Sequence, residues 1–63
     1  MSLRRRIETY LRRTDTPPTR FGRLAARDPR LVLDMRNGRE FGPPMVKRIT
    51  AYLDQAERIG GQQ

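Results

Sequence analysis

Proline and glycine cut this chain into four pieces, and the cuts leave room for little except short helices packed on one another. Breaks fall at residues 14–18, which contain Pro17 and Pro18, at Asp28 followed by Pro29, at Asn37 followed by Gly38, and at Pro43 and Pro44; Gly60 and Gly61 stand near the end. Proline removes a backbone donor and glycine loosens the backbone, so each interrupts regular structure. No stretch between the breaks alternates apolar and polar residues as a half-buried strand does, and there is no internal repeat or low-complexity tract. The chain has 63 residues and no cysteine, so a single small domain over residues 1–63 must form its core without a disulfide. The fold class expected is therefore all-α, a compact arrangement of four helices.

The first segment, residues 2–13, places Leu3, Ile7, Tyr10 and Leu11 on one side of a helix, with Ser2 as the cap and arginines around the rest. The second, residues 18–26, has Phe21, Leu24 and Ala25 on a common face, Thr16 as a candidate cap, and Pro17 or Pro18 in the first turn. Gly22 lies in its middle, where glycine costs roughly 1 kcal/mol against alanine; a close helix approach at that point would offset the cost. The third segment opens on Asp28 as cap with Pro29 at the first helical position and closes at Asn37 and Gly38. Leu31, Val32 and Met35 fall on one side of it; Arg30, Leu33, Asp34 and Asn37 fall on the other. The fourth, residues 43–59, carries a stripe of Met45, Val46, Ile49, Tyr52, Leu53, Ala56 and Ile59, ends at Gly60 and Gly61, and leaves Gln62 and Gln63 to fray. The stripe reads as core, with surplus apolar area near Tyr52 or Ile59 as a candidate dimer contact.

Charge is unevenly placed. Residues 1–39 hold 11 arginines against Glu8, Asp15, Asp28 and Asp34, whereas residues 40–63 balance Lys47, Arg48 and Arg58 against Glu40, Asp54 and Glu57. The whole net charge of +7 thus belongs to the first part of the chain. Such asymmetry points to a polyanion, nucleic acid before membrane. The excess of arginine over lysine suits bidentate contacts to phosphate and to guanine edges; a GC-rich coding bias explains the ratio equally well, but not its position. A basic amphipathic first helix is also compatible with a membrane surface, although its apolar stripe has few members. Histidine is absent, which removes the commonest general base and most zinc chemistry, and Glu8, Glu40 and Glu57 form no constellation with a base or metal site. An enzyme is therefore not expected, and neither a cofactor, a metal nor a small-molecule ligand. No apolar run has the length of a membrane span, and the first residues lack a signal-type hydrophobic stretch, so a soluble, cytoplasmic, nucleoid-associated protein is expected.

Two short helices, residues 18–26 and 29–37, joined by a brief turn and closed by a glycine, form a helix-turn-helix outline at about residues 18–38, inside the basic part of the chain. The stretch TRFGRLAARDPRLVLDMRNGREFGPPMVKRITAYL resembles the Cro/C1-type (XRE, lambda-repressor-like) helix-turn-helix regulators of bacteria and phages. The tail MRNGREFGPPMVKRITAYL is similar in order and spacing to the end of their recognition helix and the loop and helix that follow. The chain is also similar to small one-domain regulators with an FG…DP…V…LRxG pattern, here Phe21 and Gly22, Asp28 and Pro29, Val32, then Met35 to Gly38. It departs from the family at the turn glycine, where Ala26 or Arg27 stands, and at Gly22, where alanine is usual.

The resemblance implies a sequence-specific, double-stranded DNA-binding transcriptional regulator, with residues 29–37 as the recognition helix in the major groove. Arg30, Leu33, Asp34 and Asn37 are then the candidate base-reading face. Arg30 suits guanine N7 and O6, and Leu33 a thymine methyl. Asp34 suits a cytosine amino group, or a salt bridge to Arg30 or another nearby arginine. For Asn37 the resemblance implies a contact at the end of the recognition helix; a simple helix-closing role before Gly38 is as good a reading. Candidate phosphate contacts are Thr19, Arg20, Arg23, Arg27, Arg36 and Arg39, each of which is equally readable as solvated surface, with Arg4 to Arg6 as either an arm or helix surface. One reading helix gives limited affinity, so a homodimer on DNA is expected, and with no effector domain a transcription-machinery or regulatory protein is a possible further partner. The alternatives are a nonspecific nucleic-acid-binding protein, and a protein–protein adaptor that recruits transcription machinery through Leu33 and the last helix.

Overall fold

The structure, a computed structural model, describes residues 2–61 and the side chains through Arg58. The chain forms four helices, α1 (Leu3–Thr14), α2 (Pro18–Ala26), α3 (Leu31–Arg36) and α4 (Pro43–Gly61), and no strand among the described residues. None of them is long and apolar enough to cross a membrane. The radius of gyration is 11.0 Å, close to the roughly 10.6 Å that size scaling gives for a compact chain of this length.

Local chemistry sets the helix ends. Ser2 Oγ accepts the Arg5 N–H at 3.2 Å and starts α1. Asp15 closes it in a left-handed conformation at φ 55°, its N–H bonded to the Leu11 carbonyl. At α2 the expected Thr16 cap is replaced. Pro17 occupies the cap position without a side-chain bond, and Pro18 opens the helix. Pro18, at the first helical position, has no N–H, so the helix start carries one fewer unpaired donor. The Thr14 hydroxyl donates to the Tyr10 carbonyl at 2.7 Å, and the Thr16 hydroxyl lies 2.6 Å from it.

α3 starts at Leu31, later than the expected Pro29, and is only six residues long. Asp28 does act as a cap, but of a turn: its Oδ1 accepts the Arg30 N–H at 3.1 Å and its carbonyl accepts the Leu31 N–H at 3.0 Å. Regular helix begins only once that turn has closed. α4 runs from Pro43 to Gly61, the second of the two glycines expected to end it. Gln62 and Gln63, expected to fray, and the side chain of Ile59, one of the two residues expected near a dimer contact, lie outside the described residues; Tyr52, the other, packs on Tyr10 and Phe21 and is half-buried.

The core joins all four helices: Ile7 and Leu11; Phe21, Ala25 and Ala26; Leu31, Val32 and Met35; Ile49 and Leu53. Tyr10, Phe21 and Tyr52 join α1, α2 and α4: Tyr52 meets Phe21 and Tyr10 edge to face with centroids 5.6 and 6.4 Å apart, and Tyr10 lies tilted against Phe21 at 5.6 Å. Burial pushes the Tyr52 phenol above its ordinary range.

Leu24 departs from its expected place with Phe21 and Ala25; it is 55% exposed. At about 100° per residue, burying Phe21, Gly22, Ala25 and Ala26 centres the inner arc of α2 away from Leu24. Gly22 explains the shift. A Cβ there would run into the Asp28 carbonyl oxygen and come within 3.0 Å of Leu31 Cβ. The Gly22 carbonyl in turn accepts the Asp28 N–H at 3.0 Å. Only a missing side chain lets the turn and the start of α3 sit directly on α2.

Two ion-pair clusters hold α1, whose buried residues are Ile7 and Leu11. Arg6, expected either as part of an arm or as solvated surface, reaches Asp54 and Glu57 on α4, both at 2.5 Å. Arg36 on α3 makes a bidentate pair with Glu8, at 2.9 Å from Nε and 2.8 Å from Nη2.

Two outcomes follow from this packing. Gly22→Ala gains helix propensity but must displace a backbone carbonyl, which rotamer change cannot relieve, so it should destabilise the fold by about 1–3 kcal/mol in a denaturant titration; a neutral effect would mean that the turn yields freely. The Arg36 guanidinium holds the Glu8 carboxyl below the usual glutamate range. A depressed carboxylate contributes its stability above the unfolded value of about 4.3 and loses it as pH falls through the lower folded value. Glu8→Gln should therefore be less stable than the parent at neutral pH, with the gap closing in acid; a gap independent of pH would contradict the pairing.

Candidate nucleic-acid interface

The acids decide which arginines remain free. Asp54 and Glu57 take Arg6, with Arg13 at 3.9 Å from Glu57; Glu8 takes Arg36; Asp28 and Asp34 take Arg39, at 3.3 and 3.1 Å. Among the described residues no carboxylate lies within ion-pair distance of Arg20, Arg23, Arg27 or Arg30, nor of Arg4, Arg5, Arg12, Arg48 or Arg58, and all of these side chains are exposed.

Helix geometry gathers two of these. Arg20 and Arg23, with Leu24 beside them, fall on the arc of α2 opposite Phe21, Gly22, Ala25 and Ala26. Thr19 joins them around a shallow depression lined by Pro17, Thr19, Arg20, Arg23 and Leu24. The Thr19 and Arg20 N–H groups lie in the first turn, at the positive end of the helix dipole. Arg27 caps the C-terminus of α2 at φ 56°. Arg30 follows at the cap of α3.

The outward side of α3 is mixed. Leu33 is 51% exposed. Asn37 is exposed at the helix end, its N–H bonded to the Leu33 and Asp34 carbonyls, both at 3.1 Å. Asp34 pairs with Arg39, and no bond to Arg30 is formed. Of the ten residues singled out in the sequence, Thr19, Arg20, Arg23 and Arg27 are thus brought together on α2 and its cap. Arg30, Leu33 and Asn37 are exposed beside them in chain order. Asp34, Arg36 and Arg39 are engaged in ion pairs.

Leu24, next to Arg20, Arg23 and Arg27, was not among the expected surface residues. Treating Gly22 and Ala26 as core residues on the helical wheel would have turned it outward. The pair between Glu8 and Arg36, 28 positions apart, has no local pattern to reveal it.

In the turn between α2 and α3 Arg27 takes the left-handed conformation; it is one of the two positions where the resemblance expects a glycine. A side chain there costs roughly 1–2 kcal/mol, partly offset by the greater unfolded-state freedom of glycine. Compared with protein-family models, curated proteins and solved structures, the chain finds no match.

Arg27→Gly should raise the unfolding free energy by about 0.5–1 kcal/mol, the difference between these two terms. Chemical denaturation reads the change directly, and unaltered or lower stability would show that Arg27 carries no backbone cost.

Proposed function

We propose that the chain is a sequence-specific, double-stranded DNA-binding transcriptional regulator built as a lambda-repressor-like helix-turn-helix domain. The observation that carries this reading is the run of exposed arginines without acid partners, Arg20, Arg23, Arg27 and Arg30, along the outer arc of α2 and the turn into α3. Arg6, Arg13, Arg36 and Arg39 are drawn into ion pairs with acids on α1, α3, α4 and the turn; Arg4, Arg5, Arg12, Arg48 and Arg58 are unpaired elsewhere among the described residues, and the run on α2 is the unpaired group that adjoins α3. Backbone cost at Arg27 is in keeping with a residue kept for its charge.

In this reading Thr19, Arg20, Arg23 and Arg27 grip phosphates, with the α2 N–H groups assisting. Arg30 and Leu33 read base edges, and Asn37 reaches DNA at the end of α3. One domain offers one such surface, so two copies bind as a dimer on half-sites about 34–36 Å apart. The reading implies a cytoplasmic, nucleoid-associated protein that works without catalysis, cofactor or metal. The exposure of Leu24 and Leu33 favours one alternative, an adaptor docking on another protein.

Selection of bound duplexes from a random pool tests the proposal. A preferred sequence with two related half-sites is expected, still preferred as salt rises. Equal binding of all duplexes at physiological salt would leave only nonspecific association. No duplex affinity, with a tight protein partner, would establish the adaptor instead. Arg30→Ala should relax preference at one base position at a cost of ~1–3 kcal/mol; a uniform loss over all sequences would make Arg30 a phosphate contact.

A further inference from the structure

Arg39 stands between two carboxylates on the very side of the molecule that the DNA reading turns toward a polyanion. Its place is fixed by backbone chemistry. Gly38 adopts φ 99° and ends α3 in a Schellman motif, with the Gly38 N–H bonded to the Met35 carbonyl at 3.1 Å and the Arg39 N–H to the Asp34 carbonyl at 2.9 Å. The chain is thereby folded back so that Arg39 starts beside Asp34. Its Nη1 lies 3.1 Å from Asp34 Oδ2 and 3.3 Å from Asp28 Oδ2, and its Cζ lies 5.8 Å from the Phe41 ring centroid. The other oxygen of Asp28 holds the Arg30 N–H at 3.1 Å. One guanidinium therefore spans the turn before α3 and the middle of α3, with an aromatic face as a further support.

We infer that Arg39 is a positioning residue, a latch that offsets Asp28 and Asp34 so that the α3 side of the interface can approach phosphate, and is not itself a phosphate contact. Uncovered, the two carboxylates would face the nucleic acid beside Arg30 and repel it. With Arg39 between them, their charge is partly cancelled and Asp28 is held where it orders the Arg30 backbone. The inference rests on the DNA reading above.

Charge-matched variants in the full chain separate the roles. Arg39→Gln should weaken binding to a fluorescent duplex by about tenfold, as like-charge juxtaposition does. Adding Asp34→Asn restores the parent net charge and should bring affinity most of the way back, with the parent salt dependence. If the double variant stays as weak as Arg39→Gln, and the slope of log K against log[salt] drops by about 0.9, Arg39 contacts phosphate and the latch is overturned. A double-mutant cycle of the same two substitutions on unfolding of the free protein provides a readout without DNA. Additive effects there also overturn the latch. Coupling in the free protein together with no duplex binding by the parent would instead overturn the DNA reading, and the latch's role at that interface with it.

Discussion

The contact between Gly22 and the turn that follows α2 is the constraint on which the rest depends. Because no side chain stands at that position, the Asp28 carbonyl and Leu31 lie directly against α2. This approach turns Phe21, Ala25 and Ala26 inward and Leu24 outward, and it seats Leu31 and Val32 in the core. α3 is too short to hold itself together, so its orientation is that of its packing. The same approach brings Arg27 into a left-handed cap and places Arg30 at the start of α3. A fold-determining contact and a candidate binding surface are thus two consequences of one missing methyl group.

Electrostatics then sorts the arginines. Surface ion pairs contribute little to stability one at a time. Their larger effect here is on which arginines keep an uncompensated charge. Arg6, Arg36 and Arg39 are drawn onto acids of other segments, whereas the outer arc of α2 carries arginine and threonine with no acid in reach. The arginines of α2 and its turn thus stay uncompensated next to α3. Burial supports the division: the core has no charged member, so every charged side chain remains at the surface, and the acids choose which arginines they occupy.

Much of this was legible in the sequence. The cap at Ser2, the bounds of α2 and the inward set of α3 follow from local patterns, because proline, glycine and capping side chains act within a few residues. The close approach at Gly22 was expected from its cost in mid-helix, though not its partner. The later start of α3 was hidden because Asp28 followed by Pro29 suits a turn as well as a helix start. Leu24 was misplaced because a wheel that weighs only large side chains overlooks Gly22 and Ala26 as core. At the candidate interface, the arginines of α2 could be named from the sequence, but their freedom could not. That depends on where Glu8, Asp28, Asp34, Asp54 and Glu57 fall after folding, and these pairs connect segments that share no periodic pattern.

That the arginine face of α2 and its turn is the surface that meets DNA is tested most directly by titrating a selected duplex into isotopically labelled protein and following each amide and arginine side-chain resonance. Changes should concentrate at Thr19, Arg20, Arg23, Arg27, Arg30 and Leu33, with the resonances of α4 little moved. Changes confined to α1 or α4, or none at any duplex concentration, would contradict this assignment of the interface.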